Sequence, residues 1–388
     1  MRDGRFHLVI PGSLDQRTGG YLYSARIRRE LENGGWTVPV HSLDGAFPDP
    51  DSTARRAMEE ALAAIPSGER VVLDGLAMGG LPDPVQDASD RLRLVSLVHH
   101  PLADETGLSD DGRRRFQELE MEALRSVEGV VVTSSFTASR LQDYGVDPSR
   151  IRVVEPGTDR PVREEDGEDD KSCRADRVPE SSGATGSEAG PASEASQALR
   201  LLTVGSVIPR KGHEVLIEAL SGLTSLPWSL TCAGSLERAP AYVRLLRKQV
   251  AESGLEHRVT FAGELAEHEL GALYRSSSVF VLASHYEGYG MALTEALVRG
   301  LPVVATTGGA IPFTVPEEGG LLVPPGDVVA LRGALRKLLG HDHGARDLRR
   351  RLARGAVRHA AGLPSWTEAA LAFADVVMDL TSEPTGEV

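Results

Sequence analysis

The sequence predicts an α/β protein built from two Rossmann-like halves, and three observations carry that prediction. Short β-branched runs alternate with helix-like segments, the alternation stops at an acidic tract and restarts beyond it, and 388 residues exceed one ordinary hydrophobic core. Alternation of this kind implies parallel sheets covered on both faces.

In the first half the strand-like runs are FHLVIPG, TVPVHSL, RVVLDGL, RLVSLVHH, GVVVTSS and IRVVEPG, separated by helical segments such as GGYLYSARIRRELENGG and GRRRFQELEMEALRSV. The acidic tract then has almost no aliphatic residues and no periodicity, the composition of a disordered linker. Beyond it the pattern resumes with LRLLTVGS, the helix from HEVLIEALSGL, WSLTCAG, AYVRLLRKQVAESG, RVTFAGEL, HELGALYRSS, VFVLAS, LTEALVRG, PVVATT and GLLVPPG. The expected organisation is an N-terminal domain over 1–160, a linker over 161–198 and a C-terminal domain over 199–364. A last amphipathic helix within 365–388, around Trp366, is expected to cross back to the N-terminal domain. Ligands of such sheets sit beyond the carboxyl ends of the strands, and pockets favour domain interfaces, so a cleft between the halves is the expected site.

The formal charge of −14 argues against nucleic acid or an anionic membrane recruited by bulk electrostatics, although it leaves peripheral membrane contact open. Arg163 to Ser196 holds ten acids and four bases, a net of −6, which leaves −8 for the rest of the chain. Two cysteines, Cys173 and Cys232, supply neither a disulfide framework nor a thiolate metal site. The opening MRDGRFHLVIPGSL has too short an apolar run for a signal peptide, and no segment reaches the roughly 18 apolar residues of a membrane span, so a soluble cytoplasmic protein is expected.

The stretch SHYEGYGMALTEALVRGLPVVATTGG carries the densest chemistry. A glycine-bearing loop, Gly288 and Gly290, feeds a helix start whose amides and dipole suit a phosphate. GYGMAL lacks the third glycine of a dinucleotide fingerprint and sits late in the chain, which disfavours a nicotinamide enzyme. Glu287 and Glu295, if on one helix, would stand roughly 12 Å apart, beyond the about 5–9.5 Å of glycosidase carboxylates. Independent roles fit better than an acid–base pair. The bland alternative is a strand-to-helix turn with two solvated glutamates.

Together these segments resemble the retaining glycosyltransferases of family 4, with the GT-B fold of two Rossmann-like domains facing across a cleft. The resemblance rests on a glutamate, seven residues and a second glutamate, followed by GLPVVATTGG. TGGYLYSARIRREL, VVVTSSFTASRL, VVEPGTD, SVIPRKGHEVLIEAL, GELAEHELGALYRSS and GGLLVPPGD fit in the same order. It spans nearly the whole chain except the acidic tract. It implies that Glu287 binds donor-sugar hydroxyls and Glu295 the ribose, as ionised acceptors. The amides of Gly288, Tyr289, Gly290, Met291 and Ala292 would face the sugar and diphosphate. Arg210 and Lys211 would meet the leaving diphosphate, Gly19 and Gly20 would approach the phosphates, and the base would lie near Leu265. By the His-x-Leu pattern the catalytic histidine aligns with His100, with His99 in reserve.

Two departures stand out: Ser206 follows Gly205 where many members have arginine, and Phe313 stands where a glutamate is common. The Arg113–Arg115 run at a predicted helix start is either solvated or meets an anionic acceptor, and the solvated reading is favoured. His341 and His343 read as an exposed loop with no metal role.

The implied reaction moves a sugar, with retention, from a nucleoside diphosphate sugar (UDP favoured over GDP or ADP) to a small-molecule, glycan or lipid acceptor. It needs no cofactor and no metal. The competing readings are a sugar-nucleotide epimerase or phosphorylase of the same fold, or a non-catalytic nucleotide-sugar-binding partner subunit.

Overall fold

A computed structural model describes residues 4–160 and 198–382; the acidic tract, apart from position 198, lies outside the described residues. The chain divides into two compact units, Met1–Gly157 with Pro364–Val388, and Thr158–Leu363.

The first unit holds six strands, β1 (His7–Pro11), β2 (Val40–Leu43), β3 (Arg70–Asp74), β4 (Arg93–Val98), β5 (Gly129–Val132) and β6 (Ile151–Val153). They form one parallel sheet in the order β2-β1-β3-β4-β5-β6. Val9, Val71, Leu73, Leu94 and Val130 are fully buried, as expected of strands covered on both faces. Each such side chain contributes about 1.5–3 kcal/mol by leaving water.

The last helix, Trp366–Leu380, belongs to this unit. Ser365 and Glu368 form a capping box at its start, satisfying amides that would otherwise lack partners. Its apolar stripe of Trp366, Phe373 and Val377 is buried, with Phe373 at 5.9 Å from Phe6 and 6.2 Å from Tyr23, ring to ring.

The helix carrying the arginine run begins earlier than its sequence suggests. It spans Asp110–Arg125, with Ser109 capping Gly112 and with Asp110 and Asp111 in the first turn. Acids therefore occupy the dipole-sensitive positions, and the arginines follow one turn later. Arg114 pairs with Asp111, and Arg115 with Asp49 at 2.5 Å, all exposed.

The second unit repeats the architecture with β7 (Leu199–Val204), β8 (Trp228–Ala233), β9 (Val259–Gly263), β10 (Val279–Leu282), β11 (Val303–Thr306) and β12 (Gly320–Val323). Its parallel order is β12-β11-β10-β7-β8-β9. The direction of strand succession reverses between β7 and β10, the place where open sheets of this type bind ligands. No helix among the described residues is long and apolar enough to cross a membrane.

Candidate active site

The loops leaving β7 and β10 meet at that reversal. The β7 loop closes with a 3-10 turn, Pro209–Lys211, and ends at Gly212 with φ +63°. A Cβ on Gly212 would lie 2.2 Å from the Ala283 carbonyl oxygen, so only glycine lets this turn press on the end of β10. Two hydrogen bonds then join the loops: the His285 amide donates to the Arg210 carbonyl at 2.8 Å, and Arg210 Nη1 donates to the Tyr286 carbonyl at 2.9 Å.

This closure brings together three residues singled out in the sequence. Lys211 Nζ lies 2.5 Å from Glu287 Oε1, and Arg210 Nη1 lies 3.8 Å from Glu287 Oε2. Ser284 Oγ donates to the same Oε1 at 2.6 Å. Glu287 is only 6 % exposed, which rules out the bland alternative of a solvated glutamate at this position. Burial pushes its carboxyl up, but Lys211, Arg210 and the hydrogen bonds from Lys211 and Ser284 outweigh burial and hold it below the usual glutamate value. Two cations thus bracket the Glu287 carboxylate.

The main chain of the β10 loop is tied to the segment after β11. Gly309 has φ +64°, and a Cβ there would stand 2.3 Å from the Glu287 carbonyl oxygen, which accepts from the Ala310 amide at 2.8 Å. Thr306 Oγ1 donates to the Ser284 carbonyl at 2.5 Å, and Thr314 Oγ1 to the Tyr289 carbonyl at 2.7 Å. The Gly-Gly turn thus acts as a buttress for the glutamate loop. Sequence reading marked these glycines but missed Ser284, Thr306 and Thr314, whose types carry no signal apart from their place in the fold.

Beyond Gly290 (φ +93°) the helix Met291–Val298 begins, and Glu295 sits half-buried on it. The two glutamates therefore do not share a helix. Tyr289 is buried, whereas Leu265 and Ala292 are partly buried against one apolar cluster. Ser206 is buried, with its carbonyl accepting from the Ile208 amide at 2.9 Å. Phe313 is 63 % exposed on the short turn that follows Gly309.

In the first unit, Gly19 and Gly20 open the helix Gly19–Asn33 after β1. A Cβ on Gly20 would stand 2.9 Å from Cδ2 of His99, whose ring meets Tyr23 edge-on at 5.5 Å. His99 Nε2 is buried without a hydrogen bond, 3.7 Å from the Asp74 carboxylate at the end of β3. His100 turns to Glu105, at 3.3 Å. His99, the reserve candidate, is thus the ring that lies beside Gly20, Tyr23 and Asp74, whereas His100 faces Glu105. Successive residues leaving a strand point to opposite sides, so a one-residue choice moves the ring to a different environment.

His343 proves to be the first residue of the helix His343–Ala360, paired with Asp347 at 3.1 Å, and not part of a loop. Among the described residues no group of three or more histidine, cysteine or acidic side chains is placed to share a metal ion.

A family model described as "Glycosyl transferases group 1" matches residues 191–358, and one described as "Glycosyltransferase Family 4" matches residues 84–160. The chain is 29 % identical over 346 residues to the MMP alpha-(1->4)-mannosyltransferase of Mycolicibacterium hassiacum, covering 84 % of this chain and 74 % of that one. It is 30 % identical over 260 residues to the D-inositol 3-phosphate glycosyltransferase of Corynebacterium efficiens, covering 65 % and 56 %. The chain belongs to glycosyltransferase family 4. The match to this glycosyltransferase spans three quarters of the first relative's length but little more than half of the second's. Among solved structures, sucrose-phosphate synthase of Thermosynechococcus elongatus superposes with a TM-score of 0.75 at 22 % identity, over 98 % of this chain and 99 % of that one. Anabaena HepE in complex with UDP-glucose gives 0.72 at 17 % identity, over 97 % and 99 %. These likenesses establish the GT-B fold.

Proposed function

We propose that this glycosyltransferase moves a sugar from a nucleoside diphosphate sugar, with UDP as the favoured nucleotide, to an acceptor hydroxyl. Anomeric configuration is retained and no divalent ion takes part. The observation that carries the reading is the Lys211–Glu287–Arg210 cluster at the β7/β10 reversal, two cations on one buried carboxylate beside a helix start.

As the glycosidic bond to the diphosphate breaks, negative charge grows on the β-phosphate and positive charge on the anomeric carbon. Lys211 and Arg210 oppose the first; each charge-assisted hydrogen bond contributes about 1.5–3 kcal/mol. Together with the amides at the start of the Met291–Val298 helix they supply a sizeable part of the roughly 8–23 kcal/mol that enzymes provide. Glu287 keeps both cations in place before the donor arrives. As the phosphate takes over part of the Lys211 interaction, the carboxylate accepts from sugar hydroxyls. Glu295 takes the ribose. The acceptor is assigned to the first unit, where Gly19, Gly20, Asp74 and His99 converge; a small molecule, a glycan and a lipid all remain candidates for it.

The relatives' names, a mannosyltransferase and an inositol 3-phosphate glycosyltransferase, support glycosyl transfer over epimerisation or phosphorolysis. HepE, which shares the fold, was crystallised with UDP and with UDP-glucose, which supports the nucleotide preference. A thermal-shift panel of UDP, GDP, ADP and their sugars identifies the donor, because a ligand selective for the native state raises its stability. With the donor in hand, Lys211→Ala is expected to slow donor consumption by about 100-fold, equivalent to about 2.7 kcal/mol. Equal rates in wild type and variant would leave a nucleotide-binding module without turnover.

A further inference from the structure

The contacts between the loops leaving β7 and β10 do not end at the Lys211–Glu287 pair. Glu214 stands in the first turn of the helix His213–Ser221, just past Lys211, and uses both of its carboxylate oxygens. Oε1 faces His285 Nε2 at 3.3 Å, and Oε2 accepts from the Tyr242 hydroxyl. Because a carboxylate only accepts, the imidazole is the donor in the first contact. The Tyr242 oxygen in turn accepts from the Glu214 amide at 3.4 Å, and Gln249 Nε2 donates to the Glu214 carbonyl at 3.0 Å. Tyr242 and Gln249 both lie on the helix Pro240–Glu252, so that one helix fixes the side chain and the backbone of Glu214 together. His285 is held as closely. Its amide donates to the Arg210 carbonyl at 2.8 Å, and a Cβ on Gly308 would come within 2.3 Å of its carbonyl oxygen.

We propose that His285 is a positioning residue for the diphosphate: through Glu214 and Tyr242 it keeps the β10 loop clamped to the cationic turn while the Lys211–Glu287 contact is given over to the donor. The inference rests on the reading of Lys211 and Arg210 as the diphosphate ligands. A phosphate that draws Lys211 from Glu287 weakens one tie between the two loops just when their spacing matters. The His285–Glu214 contact uses neither group, so it persists through that exchange. With side chains 34 % and 39 % exposed, the pair adds little to stability, as is usual for ion pairs in reach of solvent. Its weight falls on preorganisation, since loops already spaced for the phosphate lose less freedom on binding it.

The test is calorimetric, with UDP, GDP and ADP and the corresponding monophosphates titrated into wild type, His285→Ala and His285→Gln. Wild type is expected to bind one diphosphate about 100-fold more tightly than its monophosphate, the effect of two charge-assisted hydrogen bonds to the terminal phosphate. His285→Ala is expected to cut that ratio to about tenfold, the loss of one such bond, while binding the monophosphate as wild type does. His285→Gln, whose amide still donates to Glu214, is expected to keep the ratio near wild type. In a Lys211→Ala background His285→Ala is expected to have no further effect. If His285→Ala weakens both nucleotides equally, leaves the ratio intact or adds its full effect to that of Lys211→Ala, the contact is merely structural and the inference fails. A glutamine as poor as the alanine would overturn it too. If wild type binds none of the three diphosphates, or binds each no better than its monophosphate, the diphosphate reading itself fails and takes the inference with it. Tyr242→Phe is the second variant should the alanine protein not fold; it is expected to lower the same ratio, and an unchanged ratio would overturn the proposal.

Discussion

Glu287→Gln tests the charge cluster most directly. The change keeps the shape of the side chain and removes the negative charge that Lys211 and Arg210 share, their side chains being only 14 % and 16 % exposed. Removing one partner of a buried ion pair costs about 3–5 kcal/mol. A glutamine oxygen still accepts from Ser284 and Lys211, so the lower end, about 3 kcal/mol, applies. With an m-value of about 2 kcal/mol/M in urea, the midpoint of the second unit falls by about 1.5 M. The three tryptophans are Trp36, Trp228 and Trp366, and only Trp228 lies in that unit. Its fluorescence in a Trp36→Phe, Trp366→Phe background therefore reports the transition. The sign of the pH dependence follows from the lowered carboxyl. The contribution of Glu287 is present above the unfolded value of 4.5 and is lost as pH falls through its lower folded value. The gap between wild type and variant must accordingly be full at pH 7 and close in acid. A midpoint unchanged at pH 7, or a gap that widens in acid, would refute the account.

Two other outcomes follow from the same physics. Glu295→Ala is expected to weaken UDP binding more than Glu287→Ala does, because the first removes the ribose acceptor and the second releases cations toward the diphosphate; calorimetry giving the reverse order would overturn the assignment of roles. Glu120 is fully buried, accepts from the Leu102 amide at 3.0 Å, and is pushed up to about 8 by burial. The stability it lends is present below 4.5 and is lost progressively as pH rises from there through about 8, so Glu120→Gln is expected to melt near wild type at pH 4.5 and clearly above it at pH 9.

Much of the fold is legible in the sequence because buried parallel strands announce themselves as β-branched runs. The Arg113–Arg115 helix start was misplaced because the arginines draw attention from the Ser109 cap and the two aspartates behind it. Within the site, residue types were readable and partnerships were not. Lys211 and Glu287 lie far apart in the chain and meet only because β10 pairs with β7, while β8 and β9 extend the sheet in the opposite direction. Which of His99 and His100 faces Asp74, and which Glu105, turns on the side of β4 from which each leaves the strand, which composition does not encode.

The adjacency of β7 and β10 also bears on how the protein is made. The cationic turn emerges early in the second unit, whereas its counter-ion arrives only after two intervening strand–helix units, and the Gly309 buttress later still. A chain halted before β11 holds the lysine and the glutamate without the brace that seats them. Nucleotide affinity would then mark the completion of the sheet, and a ribosome-bound series of increasing length should acquire it only near the end of synthesis.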